Sequence, residues 1–451
     1  MIKKVISLFR EKNILSLTTS MLVALIGLLN FMLLTRSLDK AMFGEWVLFI
    51  TISTFVDMLR FGLTSNALIR FASNEDPAIR EKYLGASYKI GLLVVAVCCI
   101  VLWFILGLVY LFNLNIDGGY RLFLIYYPLL ALFNLSWNNS VSYFQALQKF
   151  DRVLYIRLLT TLPFLLLLFI NYSLIKADIS TILLVYLGCN MIPSLMIFYR
   201  KWDGLMHMKS ADKESTKEML RFGKFSMGTL VGTNLLKSAD TIIIGLSPIL
   251  GSVGIALYAI PLKLTDLLSI PLRSFSIAAY PRMSLLSQKN DMQSFKKLFY
   301  TYSGAITLMF IPIAILCYLL SNEFIAMLGG SAYTNEMPLL KNIFGIFIFY
   351  SVLLPMDRFT GVALDSLNKP KFNFHKVLIM TVANIIGNIV AVFYFKSLEY
   401  VALVTVLFTL IGIIAGYYYL NKIVEIKMKY VFLEGVCFYR NIKSEIKKIT
   451  G

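Results

Sequence analysis

Residues 90–112 read IGLLVVAVCCIVLWFILGLVYLF, without a single charge. An α-helix of about 20 apolar residues, rising 1.5 Å per residue, crosses the roughly 30 Å hydrocarbon core of a bilayer. This stretch is long enough to do so. Working outward from it, comparable runs occupy 14–35, 41–69, 121–147, 154–172, 179–199, 222–246, 251–280, 298–320, 338–361, 374–395 and 399–421. Together they predict an all-α polytopic membrane protein with about twelve transmembrane helices. The composition agrees. Of 451 residues, 58% are hydrophobic and 15% charged, against about 45–50% and 25% in ordinary globular chains. A soluble fold would not have enough polar residues to cover its surface.

The first run follows Lys3, Lys4, Arg10 and Lys12. It is longer than a secretory h-region and lacks a small-residue cleavage site, so it reads as a retained anchor. If the N-terminus is cytoplasmic, thirty-two Lys and Arg fall in cytoplasmic tails and loops. These include Lys149, Arg152 and Arg157 in one loop and Lys369, Lys371 and Lys376 in another. The outer loops hold only Arg36, Lys40, Arg121, Lys176, Lys341 and Lys396. That bias predicts both termini inside. It also accounts for the net charge of +18 through anionic membrane lipids, with no need for nucleic acid.

Catalytic and metal chemistry has little support. Cys98, Cys99, Cys189, Cys317 and Cys437 show no ligand spacing, and His207 and His375 are far apart. No nucleophile elbow, phosphate loop or dinucleotide fingerprint occurs. No metal site and no resident cofactor are expected.

The charged stretch 200–221 divides the spans into six plus six. The expected organisation is an N-terminal lobe over 1–210 and a C-terminal lobe over 211–421. A basic cytoplasmic tail follows over 422–451, where mixed apolar and basic residues suggest an interfacial helix. Even-numbered halves insert in the same orientation, so a repeat would be parallel. LTRSLDKAMFGEWVL at 34–48 and IGLSPILGSVGIALY at 244–258 superpose Ser37 on Ser247 and Gly44 on Gly254. Two such six-helix bundles would enclose a central cavity near the midplane.

Nine charges lie inside the spans: Arg60, Lys237, Lys263, Arg273 and Arg358, with Asp57, Asp240, Asp266 and Asp357. A lipid-facing charge at a helix centre costs about 2.5–3.5 kcal/mol, so these residues must face protein or water. Asp57/Arg60, Lys237/Asp240 and Lys263/Asp266 are spaced i,i+3 and can pair on one helix face. For each, structural pairing, substrate contact and ion coupling all remain open. Arg273 has no carboxylate at i±3 or i±4. Arg36, at the outer end of the first span, is a further candidate. The candidate substrate-binding set is therefore Arg36, Arg60, Lys237, Lys263, Arg273 and Arg358. The candidate set for coupling to H⁺ or Na⁺ is Asp57, Asp240, Asp266 and Asp357.

Several segments resemble a known family. LLTRSLDKAMFGEWVL (33–48) is similar to the N-terminal signature of polysaccharide-biosynthesis transporters, and VDMLRFGLTSNALIRFAS (56–73) to the helix that follows it. ADTIIIGLSPILGSVGIALYAIPLKL (239–264) and NKPKFNFHKVL (368–378) resemble the corresponding parts of the second half. The family is the polysaccharide transporter branch of the multidrug/oligosaccharidyl-lipid/polysaccharide (MOP) flippase superfamily. The resemblance implies two six-helix bundles about a cavity, in a MATE-like fold. It implies transfer of undecaprenyl-pyrophosphate-linked oligosaccharide, an O-antigen or capsule repeat unit, across the bacterial cytoplasmic membrane. A glycan polymerase and a chain-length regulator would be its partners. It places Arg36 and Arg60 where relatives carry basic residues, and Asp240 at the family's Asp. The alternatives are a multidrug exporter, which would want net acid in its cavity, and a membrane glycan polymerase or glycosyltransferase, which would want a large external loop.

Overall fold

The computed structural model describes residues 12–74 and 76–450. Side chains of 12–18, 225, 226, 229 and 441–450 lie outside the described set, as do the basic residues Lys3, Lys4 and Arg10. Among the described residues there are fifteen α-helices and no strand. Ten helical segments are long and apolar enough to cross a membrane. The chain is a multi-pass membrane protein.

The first unit runs from Met1 to Asn234 and the second from Leu235 to Gly451. The first holds α1 (Lys12–Ser37), α2 (Lys40–Gly62), α3 (Ser65–Phe71), α4 (Pro77–Leu111), α5 (Gly118–Ala146), α6 (Phe150–Ile170) and α7 (Ile179–Tyr199). Helix α8 (Lys213–Gly245) begins in the first unit and ends in the second. The second unit continues with α9 (Gly251–Gln288), α10 (Met292–Leu319), α11 (Ser321–Gly329), α12 (Met337–Ser366), α13 (Pro370–Ile389), α14 (Leu398–Asn421) and α15 (Lys429–Thr450).

Helices α5 and α8 occupy two of the twelve runs expected from sequence, yet neither is among the ten apolar segments. The reason for α5 is visible. It carries Asn134, Ser136, Asn139, Ser140 and Ser142, all buried inside the first unit. Meanwhile Leu93, Ile100, Phe104 and Leu111 of α4 are exposed. Polar groups turned inward and apolar groups turned outward are the distribution that a lipid solvent requires.

The stretch that connects α7 to α8 folds onto α4 and α5. Asp203 is buried and its carboxylate accepts from Ser136 Oγ at 3.2 Å. Its carbonyl accepts from Asn139 Nδ2 at 2.6 Å, and the Trp202 carbonyl accepts from Ser140 Oγ at 3.1 Å. Gly204 adopts φ +98° against the Leu84 carbonyl, a conformation that glycine takes without penalty. Lys82 pairs with Asp212 at 2.7 Å. That hydrogen-bonded ammonium, with Ser215 behind it, holds the Asp212 carboxyl well below the usual carboxylate range. A depressed carboxyl stabilises above its unfolded pKa, so this pair persists at neutral pH and loosens only in strong acid.

The two units share an irregular feature. Helix α6 ends in a π-helical turn, Asn171–Ile175, capped by Lys176 in the left-handed region. Helix α13 ends in another, Val390–Phe395, capped by Lys396. Before them, Gln148 (φ 55°) and Asn368 (φ 56°) make the left-handed turns that enter α6 and α13. An offset of 220 residues joins Gln148 to Asn368 and Lys176 to Lys396. The backbone therefore carries a repeat that side-chain identity barely shows.

The tail is an integral part of the second unit. Helix α15 packs along α10, and a Cβ built at Gly304 would lie 1.8 Å from the Val431 carbonyl oxygen. Gly435, one turn further along α15, meets the Gly304 backbone as well. Val431 is fully buried and belongs to the same core as Phe295, Phe299, Phe310 and Phe359. Tyr439 donates to the Ala305 carbonyl at 2.8 Å, and Lys427 N–H donates to Tyr300 OH at 2.9 Å. A Gly304→Val substitution is expected to lift α15 from α10 at a cost of about 1–3 kcal/mol or more. Limited proteolysis after Lys427 and a lowered melting temperature would report it; wild-type protection would refute the packing.

Candidate functional site

The charges inside the helices sort by whether the fold satisfies them. In the first unit, Asp57 and Arg60 sit one turn apart near the end of α2. Arg60 Nη2 lies 2.6 Å from Asp57 Oδ1, and Nη1 donates to the Ala131 carbonyl at 2.7 Å. Tyr127 OH donates to Asp57 at 2.6 Å and Asn134 Nδ2 at 3.1 Å. Arg60 is only 3% exposed, and its guanidinium lies 4.5 Å from the Phe61 ring centroid. The group ties α2 to α5. Its partners Tyr127 and Asn134 are seventy or more residues away in sequence, and no local signal marks them.

In the second unit, Asp240 on α8 is 4% exposed, and among the described residues it makes no ion pair. It accepts from Tyr258 OH at 2.8 Å, Asn384 Nδ2 at 3.0 Å, Asn388 Nδ2 at 2.6 Å and Thr405 Oγ1 at 3.4 Å. Asn388 Oδ1 has no hydrogen-bond partner. Four helices, α8, α9, α13 and α14, thus converge on one carboxyl. The i,i+4 spacing of Asn384 and Asn388 in an apolar helix was the available sequence signal, and sequence analysis passed over it. A buried carboxylate without a counter-charge costs several kcal/mol. Here four hydrogen bonds from Tyr258, Asn384, Asn388 and Thr405 offset that cost.

Asp357 pairs across helices rather than with its neighbour Arg358. Lys376 Nζ lies 2.7 Å from Asp357 Oδ1, donates to the Asp357 carbonyl at 2.7 Å, and reaches Thr360 Oγ1 at 3.0 Å. Lys376 is 3% exposed. Sequence analysis assigned it to a loop by its place beside Lys369 and Lys371; it belongs instead to the buried face of α13. Glycines on α14 make room for the pair, since a Cβ at Gly412 would lie 2.7 Å from Asp357 Oδ1.

The remaining candidate cations differ in exposure. Lys237, Arg273 and Arg358 are exposed on α8, α9 and α12, as is Asp266. The charges of Arg273, Asp266 and Arg358 all bear on Lys237. Lys263 is half-buried on α9, and Arg36 is exposed at the last turn of α1. Among the described residues no cluster of three or more His, Cys, Asp or Glu could hold a metal ion.

These two all-helical units, apolar outside and charged within, have the fold of MOP-superfamily transporters. The chain is similar to a multidrug resistance MATE family transporter of that superfamily in its inward-facing conformation, with TM-score 0.74, 15% identity, and 96% and 99% of the two chains covered. It is also similar to the lipid II flippase MurJ in an inward closed conformation, with TM-score 0.71, 16% identity, and 96% and 93% covered. The chain belongs to the polysaccharide biosynthesis protein family, whose model matches residues 11–287. A curated relative, the probable low-salt glycan biosynthesis flippase Agl15 of Haloferax volcanii, is 23% identical over 223 residues. That match spans 49% of this chain and 46% of the relative's length.

Breaking the Asp357–Lys376 pair on one side leaves a buried charge. Asp357→Leu or Lys376→Met alone is expected to cost about 3–5 kcal/mol, and the double substitution to recover most of it. Thermal unfolding of the purified variants would give the cycle. Strictly additive losses would show that the two groups do not depend on each other.

Proposed function

We propose that this protein is a flippase that carries a lipid-linked oligosaccharide between membrane leaflets. The cargo is an undecaprenyl-pyrophosphate-linked repeat unit of the O-antigen or capsule type, moved from the inner to the outer leaflet of a bacterial cytoplasmic membrane. Both termini lie inside. The observation that carries the reading is the charge balance of α8, α9 and α12. Away from the loop-facing ends of these helices, Lys237, Arg273 and Arg358 are exposed beside the exposed carboxylate Asp266. Such charges avoid lipid and face water. Guanidinium and ammonium groups suit a diphosphate, whereas an organic cation would be repelled. This favours an anionic amphiphile over the drug cargo of multidrug exporters. Family membership and the partial match to a glycan biosynthesis flippase support the same reading.

Asp240 is the coupling residue in this scheme. Binding of a cargo-independent cation, H⁺ or Na⁺, neutralises it. Its oxygen neighbours suit either ion, because the Asn384 and Asn388 amides can present Oδ1 in place of Nδ2. The tight packing of Asp240 lets its charge state bias how α8, α9, α13 and α14 fit together. Asp57, held by Arg60, Tyr127 and Asn134, is a second candidate for coupling. A polymerase and a chain-length regulator would act on the product.

Depletion in the native cell is the direct test. Intact lipid-linked units should accumulate on the inner leaflet while surface glycan disappears. Accumulation of single units on the outer leaflet would refute transport and favour polymerisation. Asp240→Asn should fold normally yet lose gradient-driven translocation in proteoliposomes. Gradient-dependent transport at the wild-type rate would remove Asp240 from coupling. Charge reversal at Arg273 together with Arg358 should abolish transport with expression intact.

A further inference from the structure

One cluster of cations in the first unit is neither satisfied by the fold nor part of the scheme above. Arg152 at the start of α6 lies 5.0 Å from the Phe144 ring centroid and 4.8 Å from that of Trp202. Arg200, at the end of α7, lies 5.1 Å from Trp202. Arg157, two turns into α6, lies 5.3 Å from Trp137. Among the described residues, none of the three makes an ion pair. None of their guanidinium groups donates a hydrogen bond to protein there either. The aromatic platform is fixed: Trp137 is 8% and Phe144 1% exposed, and the Trp202 carbonyl is bound by Ser140. The arginines are not sealed in; Arg152 and Arg157 are half-buried and Arg200 is exposed.

The repeat sharpens the contrast. The 220-residue offset that joins Gln148 to Asn368 places Trp137 at the position of Asp357. It also places Ile156, next to Arg157, at the position of Lys376. In the second unit a buried cation at this level is neutralised by a carboxylate 2.7 Å away. In the first unit the carboxylate's place is taken by an indole. An aromatic face holds a guanidinium but leaves its N–H edge free. Loops that merely follow the positive-inside rule need no such mounting. Arg157 lies about 10 Å along α6 from Phe150, by the helical rise of 1.5 Å.

We propose that Arg152, Arg157 and Arg200, mounted on Phe144, Trp137 and Trp202, form a binding site for a lipid phosphate. Planar guanidinium edges match phosphate oxygens bidentately, and the depth of Arg157 suits a headgroup at the membrane interface. The source is either the diphosphate of a polyprenyl-linked cargo or the phosphodiester of an anionic phospholipid. Only the first alternative rests on the flippase reading.

The test uses the full chain in nanodiscs of phosphatidylcholine, with binding followed by native mass spectrometry. The probes are undecaprenyl diphosphate and phosphatidylglycerol, alone and in competition. Arg157→Gln with Arg200→Gln should weaken binding about tenfold or more without lowering the melting temperature. Arg157→Lys, which keeps the charge but not the fork, should fall between the two. Preferential loss of the diphosphate would assign the site to cargo, and equal loss of both lipids would assign it to lipid phosphate in general. Unchanged affinity for both probes in folded variants would overturn the site. If cell depletion refutes translocation, the phosphatidylglycerol arm still decides the site by itself.

Discussion

The hydrocarbon core of a bilayer offers no hydrogen bonds, so every charge within it must find its partner inside the protein or in a hydrated opening. This constraint organises the molecule. It turns the asparagines and serines of α5 inward and leaves Leu93, Ile100 and Phe104 of α4 outward. It explains why Arg60 reaches both a carboxylate and a backbone carbonyl, and why Asp240 draws two amides and two hydroxyls around itself. The helices are short of polar residues, and those present are spent on a few dense networks.

The same constraint separates charges that the fold pairs from charges that it leaves exposed. Asp57 with Arg60 and Asp357 with Lys376 close on themselves, one pair in each unit. Lys237, Arg273 and Arg358 are exposed in helices where lipid contact would be costly. Asp240 lies between these cases, buried and, among the described residues, held by hydrogen bonds without an ion pair.

Much of the helical architecture was legible because a span is a local property of about 20 residues. Ten of the twelve runs are segments apolar enough to cross a membrane, and the other two are the helices α5 and α8. The partners of the charges were not legible in the same way. The i,i+3 spacing correctly joined Asp57 to Arg60, but Asp357 chose Lys376 on another helix over its own neighbour. Lys376 and Arg157 read as loop residues because each lies within a few residues of other cations, Lys369 and Lys371 or Lys149 and Arg152. Their burial depends on how far α13 and α6 extend, which hydropathy alone does not resolve. The tail read as interfacial from its mixed composition. Its docking depends on Gly304 and Gly435 meeting across 131 residues, and a lone glycine gives no sign of what it meets.

The π-helical turns at the ends of α6 and α13 carry a historical consequence. A π turn holds one residue more than the α-helix around it needs. Both turns are followed by a left-handed lysine, and both stand at the same distance from the left-handed residue that precedes their helix. Two independent insertions would have had to strike matching positions in unrelated sequence. A single insertion in an ancestor of half this length, inherited by both copies when the gene doubled, accounts for the pair. Trp137 at the place of Asp357 and Ile156 at the place of Lys376 then mark where the copies diverged.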